Sequence, residues 1–293
     1  MDVKSLYTLI AAADCGSFAE ASTQLGLSLS AVSLQLRALE DEIGITLFDR
    51  RSRPPQLTEE GRDFVSRARE VIAHWEALSE SLSRDPARGV LRVGAVHTAV
   101  ASSVPAALRR LQSERPEVSV RLTTGLSHDL EERLRRRTLD CAIVTEAAPG
   151  DSDLISHRVC SEPLVLIAHR DIKGRDVTKI LASEPYVRFS RQARVARLID
   201  GELQRRKIAV NSRMEIDTLE AVVSLVRQRL GVSIVPAASA GSGFPEDIRV
   251  RSFGSPPVLR HLAVSLRGDC PKRHLVAPLI EALRGVYADV AAA

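Results

Sequence analysis

The chain has 293 residues, which is enough for two domains with cores of their own. Its 44% hydrophobic and 27% charged residues are ordinary for a globular protein, and no apolar run reaches the length of a membrane span. The net charge of +4 does not by itself indicate a nucleic-acid partner. The first 58 residues contain five Lys or Arg and seven Asp or Glu, so DNA contacts there would depend on local arginines.

The N-terminal residues predict three short helices. Apolar spacing indicates a first helix that stops near Gly16. Ser17 is placed to cap a second helix, from about Phe18 to Leu25. Gly26 suits the end of that helix, and Ser28 can cap a third one.

The third helix has two distinct faces in its sequence pattern. The second and third helices, joined by a turn with glycine, are typical of a helix-turn-helix, whose second helix enters the major groove of DNA. An ordinary helical hairpin with a polar outer face is the alternative. The expected packing stripe is Leu29, Val32, Leu36, Leu39 and Ile43, and the outer face carries Ser30, Ser33, Leu34 and Arg37.

The segment "LFDRRSRPPQLTEEG" then predicts a hairpin wing. Short apolar pieces at 46–48 and 56–58 flank a tip rich in arginine and proline. Arg50, Arg51 and Arg53 would lie against phosphates beside the groove, whereas a solvated loop is the plain alternative.

A long helix follows, capped by Thr58, and it ends near a polar linker at 83–89. Its narrow apolar seam is what a two-helix coiled coil needs, so the helix is a candidate for dimerisation. The alternative is a helix that packs on its own domain. The seam residues are Val65, Ala68, Ile72, Trp75, Leu78 and Leu82.

From Leu91 the pattern changes to alternating strands and helices, which indicates parallel sheets covered by helices. Two such sets predict two α/β lobes with a cleft between them. Expected strands include "LRVGAV", "CAIVTE", "PLVLIAHR" and "GVSIVPA", and a last helix is expected from about 271 to 290.

The four cysteines form no metal-binding spacing, and no C-x-x-C pair occurs. Four reduced thiols in a cytoplasmic protein are one interpretation. A redox-sensing pair is the other, and Cys141 and Cys160 are its only plausible members. The apolar stretch before Cys15 lacks the flanks of a secretion signal.

These motifs, taken together, resemble the LysR-type transcriptional regulators of bacteria along essentially the whole chain. The residues that carry the resemblance are "GSFAEAS", "LSLSAVSLQLRALEDEIGITLFDRR", "LTEEG", "LRVGA", "LDCAIV" and "GVSIVP". The family commonly has Gln and Pro where this chain has Leu29 and Ser30, and a basic residue at Leu34. Leu34 could instead contact a thymine methyl.

The resemblance implies a winged helix-turn-helix over 1–58, a linker helix and hinge over 59–88, and a two-lobed effector domain of the periplasmic-binding-protein kind over 89–293. Lobe I would comprise about 89–162 and 264–293, and lobe II about 163–263. Implied partners are a pseudo-palindromic promoter DNA, a small-molecule effector, RNA polymerase and further copies of the chain in a homotetramer. The DNA-contact candidates are Ser28, Ser30, Ser33, Leu34, Gln35, Arg37, Arg50, Arg51 and Arg53.

The effector candidates follow strands or open helices of the two lobes, where backbone N–H groups favour an anion. The resemblance places an effector-contacting hydroxyl at Thr98. Each polar candidate has a plain alternative as a helix cap or a solvated side chain. The candidates are His97, Thr98, Ser127, Phe189, Ser190, Arg191 and Thr218.

No nucleophile elbow, phosphate-binding loop or metal cluster is recognisable in the sequence, so we expect neither catalysis nor a cofactor. A binding protein without DNA activity is a further alternative, and the N-terminal third argues against it.

Overall fold

A computed structural model describes residues 2–81, 89–147, 150, 153–237 and 243–292. The chain divides into two compact units: residues 1–86 with 136–138, called the N-terminal unit, and residues 87–135 with 139–293, called the C-terminal unit. The predicted domain boundaries at 58 and 88, and those of the lobes, remain predictions. The predicted linker at 83–89, save Gly89, and Leu82 of the predicted seam lie outside the described residues.

The N-terminal unit is a helix-turn-helix followed by a small hairpin and a long helix. A single core of aliphatic side chains joins these elements, with Phe18 and Phe48 edge to face at a centroid distance of 4.9 Å. The elements are α1 (Val3–Cys15), α2 (Phe18–Leu25), α3 (Leu29–Ile43), β1 (Phe48–Asp49), β2 (Gln56–Leu57) and α4 (Glu59–Ser81).

Each predicted helix start in this unit coincides with a side-chain cap. The Ser17 hydroxyl accepts from the N–H groups of Ala19 and Glu20, and the Ser28 hydroxyl accepts from Ala31 N–H at 3.1 Å. These caps satisfy backbone donors that the first turn of a helix leaves unpaired.

The predicted packing stripe of α3 is correct for Val32, Leu36 and Leu39, which are buried, but wrong for Leu29, which is 52% exposed. The turn and the first residues of α3, from 26 to 30, all lie outside the core. Helical spacing identifies the residues on one side of a helix, but it does not show how far along the helix other elements pack against that side.

The long helix α4 divides along its seam. Val65, Ala68 and Ile72 are buried in the core of the N-terminal unit, as the self-packing alternative required. Trp75 and Leu78, farther along, are 49% and 55% exposed. At its start, Gly61 approaches the Leu47 backbone so closely that a Cβ there would collide with the Leu47 carbonyl oxygen.

The C-terminal unit has two hydrophobic cores that share one long strand, β6 (Ile155–His169). Around the first core lie β3 (Gly89–Val96), α5 (His97–Val100), α6 (Ser103–Glu114), β4 (Val118–Gly125), α7 (Ser127–Arg135), β5 (Cys141–Thr145), β11 (Leu259–Leu266) and α11 (Arg273–Ala292). Around the second lie α8 (Val177–Ser183), β7 (Pro185–Phe189), α9 (Arg194–Arg205), β8 (Asn211–Ile216), α10 (Leu219–Arg227), β9 (Ser233–Pro236) and β10 (Ile248–Ser252).

The two-lobed α/β fold is confirmed, and the expected parallel pairing is present in part of each lobe. Strands β3, β4 and β5 are parallel neighbours, as are β7 and β8. Strand β6 pairs antiparallel with β9, β10 and β11, and β11 pairs antiparallel with β5. The alternation of strands and helices is interrupted between β5 and β6 and between β10 and β11, where the described residues form no helix, and parallel neighbours in a sheet require a crossover of that kind.

No described helix is both long enough and apolar enough to cross a membrane.

Candidate functional sites

The N-terminal unit presents one side of α3 to solvent. We call Ser30, Leu34, Arg37, Ala38 and Asp41 the outward face of α3, and all five are exposed. Ser28 and Ser30, next to the turn, lie within hydrogen-bond distance at 2.9 Å between their hydroxyl oxygens. Two small hydroxyls at the start of the helix allow another molecule to approach the backbone closely.

Two candidates on α3 are tied to the rest of the unit. Gln35 is half-buried, and its Oε1 accepts a hydrogen bond from Thr8 Oγ1 of α1 at 2.6 Å. Ser33 Oγ accepts from Arg50 Nη1 at 3.4 Å, which links α3 to the wing. Both side chains are therefore held by neighbouring elements rather than projecting from the outward face.

Glu40 joins α3 to the base of the wing. Its Oε1 accepts from the N–H groups of Leu47 and Phe48 at 2.8 and 3.0 Å, and its Oε2 accepts from Arg50 Nη2 at 2.7 Å. The Arg50 guanidinium also lies 5.9 Å from the ring centroid of Phe18. Arg50 is consequently fixed in position, with 28% of its side chain exposed. Sequence reasoning missed Glu40, because only its position one turn before an irregular segment hints at this role.

The other wing arginines are open to solvent. Arg51 has a side chain 93% exposed and donates from Nε to Asp49 Oδ1 at 3.0 Å and from Nη2 to Asp49 Oδ2 at 3.1 Å. Those hydrogen bonds lower the pKa of the Asp49 carboxyl. Arg53 is exposed at the tip. An exposed ion pair of this kind is weak and readily exchanged for another anion.

In the C-terminal unit, a cleft lies between the two cores where β3 meets α5 and β7 leads to α9. Its free volume is about 20 Å³, which is room for about one water molecule. Four of the predicted effector residues line it, namely His97, Thr98, Ser127 and Phe189.

A salt bridge closes this cleft. Arg194, at the start of α9, donates from Nη1 and Nη2 to the two carboxylate oxygens of Glu131 on α7, each at 2.7 Å. Arg194 Nη1 also donates to the Thr145 carbonyl oxygen, at the end of β5, at 2.6 Å. The side chains of Arg194 and Glu131 are 18% and 8% exposed. Arg194 of the second lobe is therefore bound by Glu131 and Thr145 of the first lobe.

The Thr98 hydroxyl belongs to a second buried network. It accepts from Arg260 Nη1 at 2.7 Å, and Arg260 Nε donates to Glu162 Oε1 at 2.6 Å. Arg260 is only 1% exposed. Sequence reasoning missed Arg260, although an arginine inside the apolar strand pattern "VLRHLAVSL" could have indicated a buried polar network.

The structure does not bring the remaining effector candidates to the cleft lining. Arg191 is exposed and pairs with Glu215, with 3.2 Å between Arg191 Nε and Glu215 Oε2. Thr218 caps α10 through the Ala221 N–H at 3.4 Å. Ser190 is buried after β7, and its backbone N–H donates to the Ile216 carbonyl.

The predicted cysteine pair is not brought together. Cys160 pairs with Leu262 of β11 and Ala142 with Ser265, on opposite sides of that strand. Cys141 and Cys160 are thus offset by roughly 13 Å along the strands and roughly 10 Å across them, far beyond the Cα separation that a disulfide allows. The alternative of a redox-sensing pair at these positions is contradicted by this arrangement, because β11 separates β5, which carries Cys141, from β6, which carries Cys160.

The environment of each thiol also raises its pKa. Burial raises the pKa of Cys141 and Cys270, and burial together with the Glu162 carboxylate raises that of Cys160 to about 11. Burial and the nearby acidic groups raise the pKa of Cys15. Among the described residues, no group of three or more His, Cys, Asp or Glu side chains is arranged to hold a metal ion.

Comparison with known proteins identifies the two units. Residues 3–62 match the family described as "Bacterial regulatory helix-turn-helix protein, lysR family", and residues 84–288 match the "LysR substrate binding domain". The chain belongs to the LysR family of transcriptional regulators. As a member of this family it is a DNA-binding regulator with an effector-binding domain.

Individual LysR-type relatives match along nearly the whole chain. The "Probable cat1 operon transcriptional activator" of Acinetobacter lwoffii is 24% identical over 99% of this chain and 97% of its own length. The structure of a full-length OxyR variant from Pseudomonas aeruginosa has a TM-score of 0.77 at 22% identity, covering 97% of this chain and 95% of that one. Full-length CbnR complexed with its target DNA has a TM-score of 0.68 at 22% identity, covering 98% of this chain and 100% of that one.

Proposed function

We propose that this LysR-type regulator binds a pseudo-palindromic promoter site through the first two turns of α3 and the tip of the wing. The observation that carries the proposal is the exposed outward face of α3. It begins at Ser30, beside the hydroxyl of the capping residue Ser28, and the wing is joined to the same helix through Arg50 and Ser33. Helix-turn-helix proteins place this part of the second helix against base edges.

The DNA contacts divide into two groups in this proposal. Ser28, Ser30, Leu34 and Arg37 face the bases or the adjacent phosphates, and Arg51 and Arg53 hold phosphates beside the groove. Ser33, Gln35 and Arg50 act mainly by positioning α3 against α1 and the wing, since their polar atoms already have partners. Because the first 58 residues carry two more acidic than basic groups, we expect few phosphate contacts and a shallow dependence of affinity on salt.

The test is selection of bound DNA from a random library by the purified full-length protein. We expect enrichment of a two-fold pseudo-palindrome. The Arg51→Ala, Arg53→Ala double variant should weaken binding to this site and to random DNA alike. It should lower the salt slope by about two per half-site, and so by about four for the whole site. Arg67→Ala, an exposed arginine of α4, is the matched control and should bind as the wild type does. Absence of any enriched sequence would count against the proposal.

We further propose that the effector is a small anion and that its binding competes with Glu131 for Arg194. The two carboxylate oxygens of Glu131 occupy both Nη atoms of Arg194, which is how a guanidinium binds an effector carboxylate. With about 20 Å³ free, the cleft must open before such a molecule enters. Release of Glu131 would free one lobe from the other and so couple binding to a change in shape.

Thermal unfolding in the presence of small carboxylates, inorganic phosphate and uncharged sugars tests the effector proposal. At least one anion should raise the melting temperature of the wild type. Glu131→Gln should respond more strongly at the same concentration, because the neutral amide competes less well for Arg194. Glu132→Gln, on the exposed side of α7, should match the wild type. Equal anion responses in Arg194→Met and wild type would contradict the assignment.

The remaining parts of the proposal concern the oligomeric state of the regulator, its protein partner and its location in the cell. We propose dimerisation through the exposed end of α4, assembly of dimers into a homotetramer, and an effect on RNA polymerase at the promoter. The regulator would act in the cytoplasm, without a cofactor or metal and without catalysing a reaction. The exposed apolar side chains of α4 support the first of these points.

A further inference from the structure

Leu34 is the most exposed large apolar side chain among the described residues, at 69%. Isolated exposed leucines are common on protein surfaces, so exposure alone indicates no function. The position of this one is informative, because it lies on the outward face of α3 within the second turn of the helix.

Its neighbours make Leu34 the prominent group of that face. Side chains three and four positions apart are adjacent on a helix, so Ser30 and Ala38 lie one turn before and one turn after Leu34. Both are small. The leucine side chain therefore projects farther from the helix than Ser30 and Ala38 do, and in a groove it would contact the base edges before them.

The charges on α3 determine which part of the face can approach DNA. Arg37 lies beside Leu34 and offers a cation to a base edge or a phosphate. Asp41, one turn farther along, is exposed and would repel phosphates. The first two turns of α3 are thus the part suited to enter the groove, and Leu34 is near their centre.

The major groove presents one apolar group to a side chain of this kind, the C5 methyl group of thymine. Serine hydroxyls contact several bases without strong preference, so they add little discrimination at this position. We propose that Leu34 selects thymine within each half-site by packing against its C5 methyl group. This inference rests on the proposed function, since it takes the outward face of α3 as the DNA-reading surface.

The experiment removes the methyl group and nothing else. The duplex selected from the random library is resynthesised with deoxyuridine in place of one thymine at a time, symmetrically in both half-sites, and affinities are measured by fluorescence anisotropy. Base pairing and all polar edges are unchanged by this replacement. Loss of one buried methyl group should weaken wild-type binding roughly fourfold per half-site, and roughly fifteenfold when both are replaced.

Variants assign the effect to Leu34. Leu34→Ala should bind the thymine duplex more weakly than the wild type does, and it should no longer distinguish thymine from deoxyuridine at the sensitive position. Leu29→Ala makes the same truncation on another exposed leucine of α3 and should retain the discrimination. Because Leu34 lies outside the core, Leu34→Ala should melt at the wild-type temperature.

The outcomes separate the inference from the function on which it rests. Tight binding of the wild type to its selected site without any deoxyuridine effect overturns the role of Leu34 and leaves DNA binding intact. A deoxyuridine effect that persists unchanged in Leu34→Ala assigns methyl recognition to another residue. Failure to bind any duplex rejects the reading surface and the inference together.

Discussion

At the scale of single residues, Glu40 is the side chain that joins α3 to the base of the wing. One carboxylate receives two backbone N–H groups from Leu47 and Phe48 and the guanidinium of Arg50. The sequence shows only a glutamate near the end of an amphipathic helix, and glutamates on protein surfaces are mostly exposed to solvent. What distinguishes Glu40 is the path of the chain after Gly44, which brings Leu47 and Phe48 back towards it.

We predict that Glu40→Ala destabilises the N-terminal unit by about 2–3 kcal/mol, because it leaves partly buried donors unpaired. The only tryptophan of the chain, Trp75, lies in α4 and so reports on this unit. Urea unfolding followed by its fluorescence gives the free energy of unfolding. Asp41→Ala, at the exposed neighbouring position, should change it by less than about 0.5 kcal/mol. Equal effects of the two substitutions would contradict the role of Glu40.

The thiols allow a second prediction at this scale. A pKa of about 11 for Cys160 leaves about one thiolate in a thousand at pH 8. We expect its alkylation by N-ethylmaleimide in the folded protein to be slow at pH 8 and to accelerate about tenfold per pH unit, because only the deprotonated form reacts and its share grows until the pH reaches the pKa.

The same reasoning bears on the cysteine-redox alternative. All four thiols have raised pKa values, whereas redox-sensing thiols are typically accessible and have lowered ones. We expect mild hydrogen peroxide to leave the affinity for the selected DNA unchanged. A peroxide-dependent change that disappears when Cys141 and Cys160 are replaced by serine would restore the alternative.

At the scale of elements, local signals were the most reliable guide. Ser17, Ser28 and Thr58 were all recognisable as caps, since a hydroxyl next to an apolar run has a local reason to be there. Properties that depend on distant parts of the chain were not recognisable. The exposure of Leu29 and the strand neighbours of β6 depend on which other element covers them, and residue spacing carries no such information.

The helix α4 illustrates how one periodic stripe can serve two purposes. The seam residues Val65, Ala68 and Ile72 pack on the helix-turn-helix, whereas Trp75 and Leu78 of the same seam are exposed. Val71, which lies beside the predicted seam, is exposed with them, so that Val71, Trp75 and Leu78 follow one another at a spacing of four and then three residues. Such a short apolar stripe is suited to a second copy of the same helix. The seam was therefore predictable from the sequence, but its division between intramolecular packing and an exposed part was not.

We predict that Val71→Glu weakens self-association at least tenfold, because a charge would be buried in an apolar seam. Light scattering coupled to size-exclusion chromatography over a range of protein concentrations measures the change. Val250→Glu is a matched control, since Val250 is 45% exposed and Val71 46%. If Val71→Glu associates as the wild type does, the exposed part of α4 is not the dimer interface.

At the scale of the whole molecule, the alternation of strands and helices was sufficient to predict a two-lobed α/β fold. It did not predict the salt bridge that joins the two lobes across the cleft. His97, Thr98, Ser127 and Phe189 were predictable because strand ends and helix starts converge there. The closing bridge was not, because Glu131 and Arg194 are 63 residues apart and neither belongs to a local motif. Of the two nearby arginines, only the structure shows that Arg194 points into the cleft and Arg191 away from it.

The central claim is that two copies of this chain read DNA with the same face of α3. Hydroxyl-radical footprinting of the full-length protein on its selected duplex tests this claim most directly. We predict two protected segments related by two-fold symmetry, with centres about 10 base pairs apart or a small multiple of that distance. Val71→Glu should weaken both protections together, because each half-site depends on the pair. A single protected segment would contradict this claim. So would two segments that Val71→Glu protects as strongly as the wild type does at the same protein concentration.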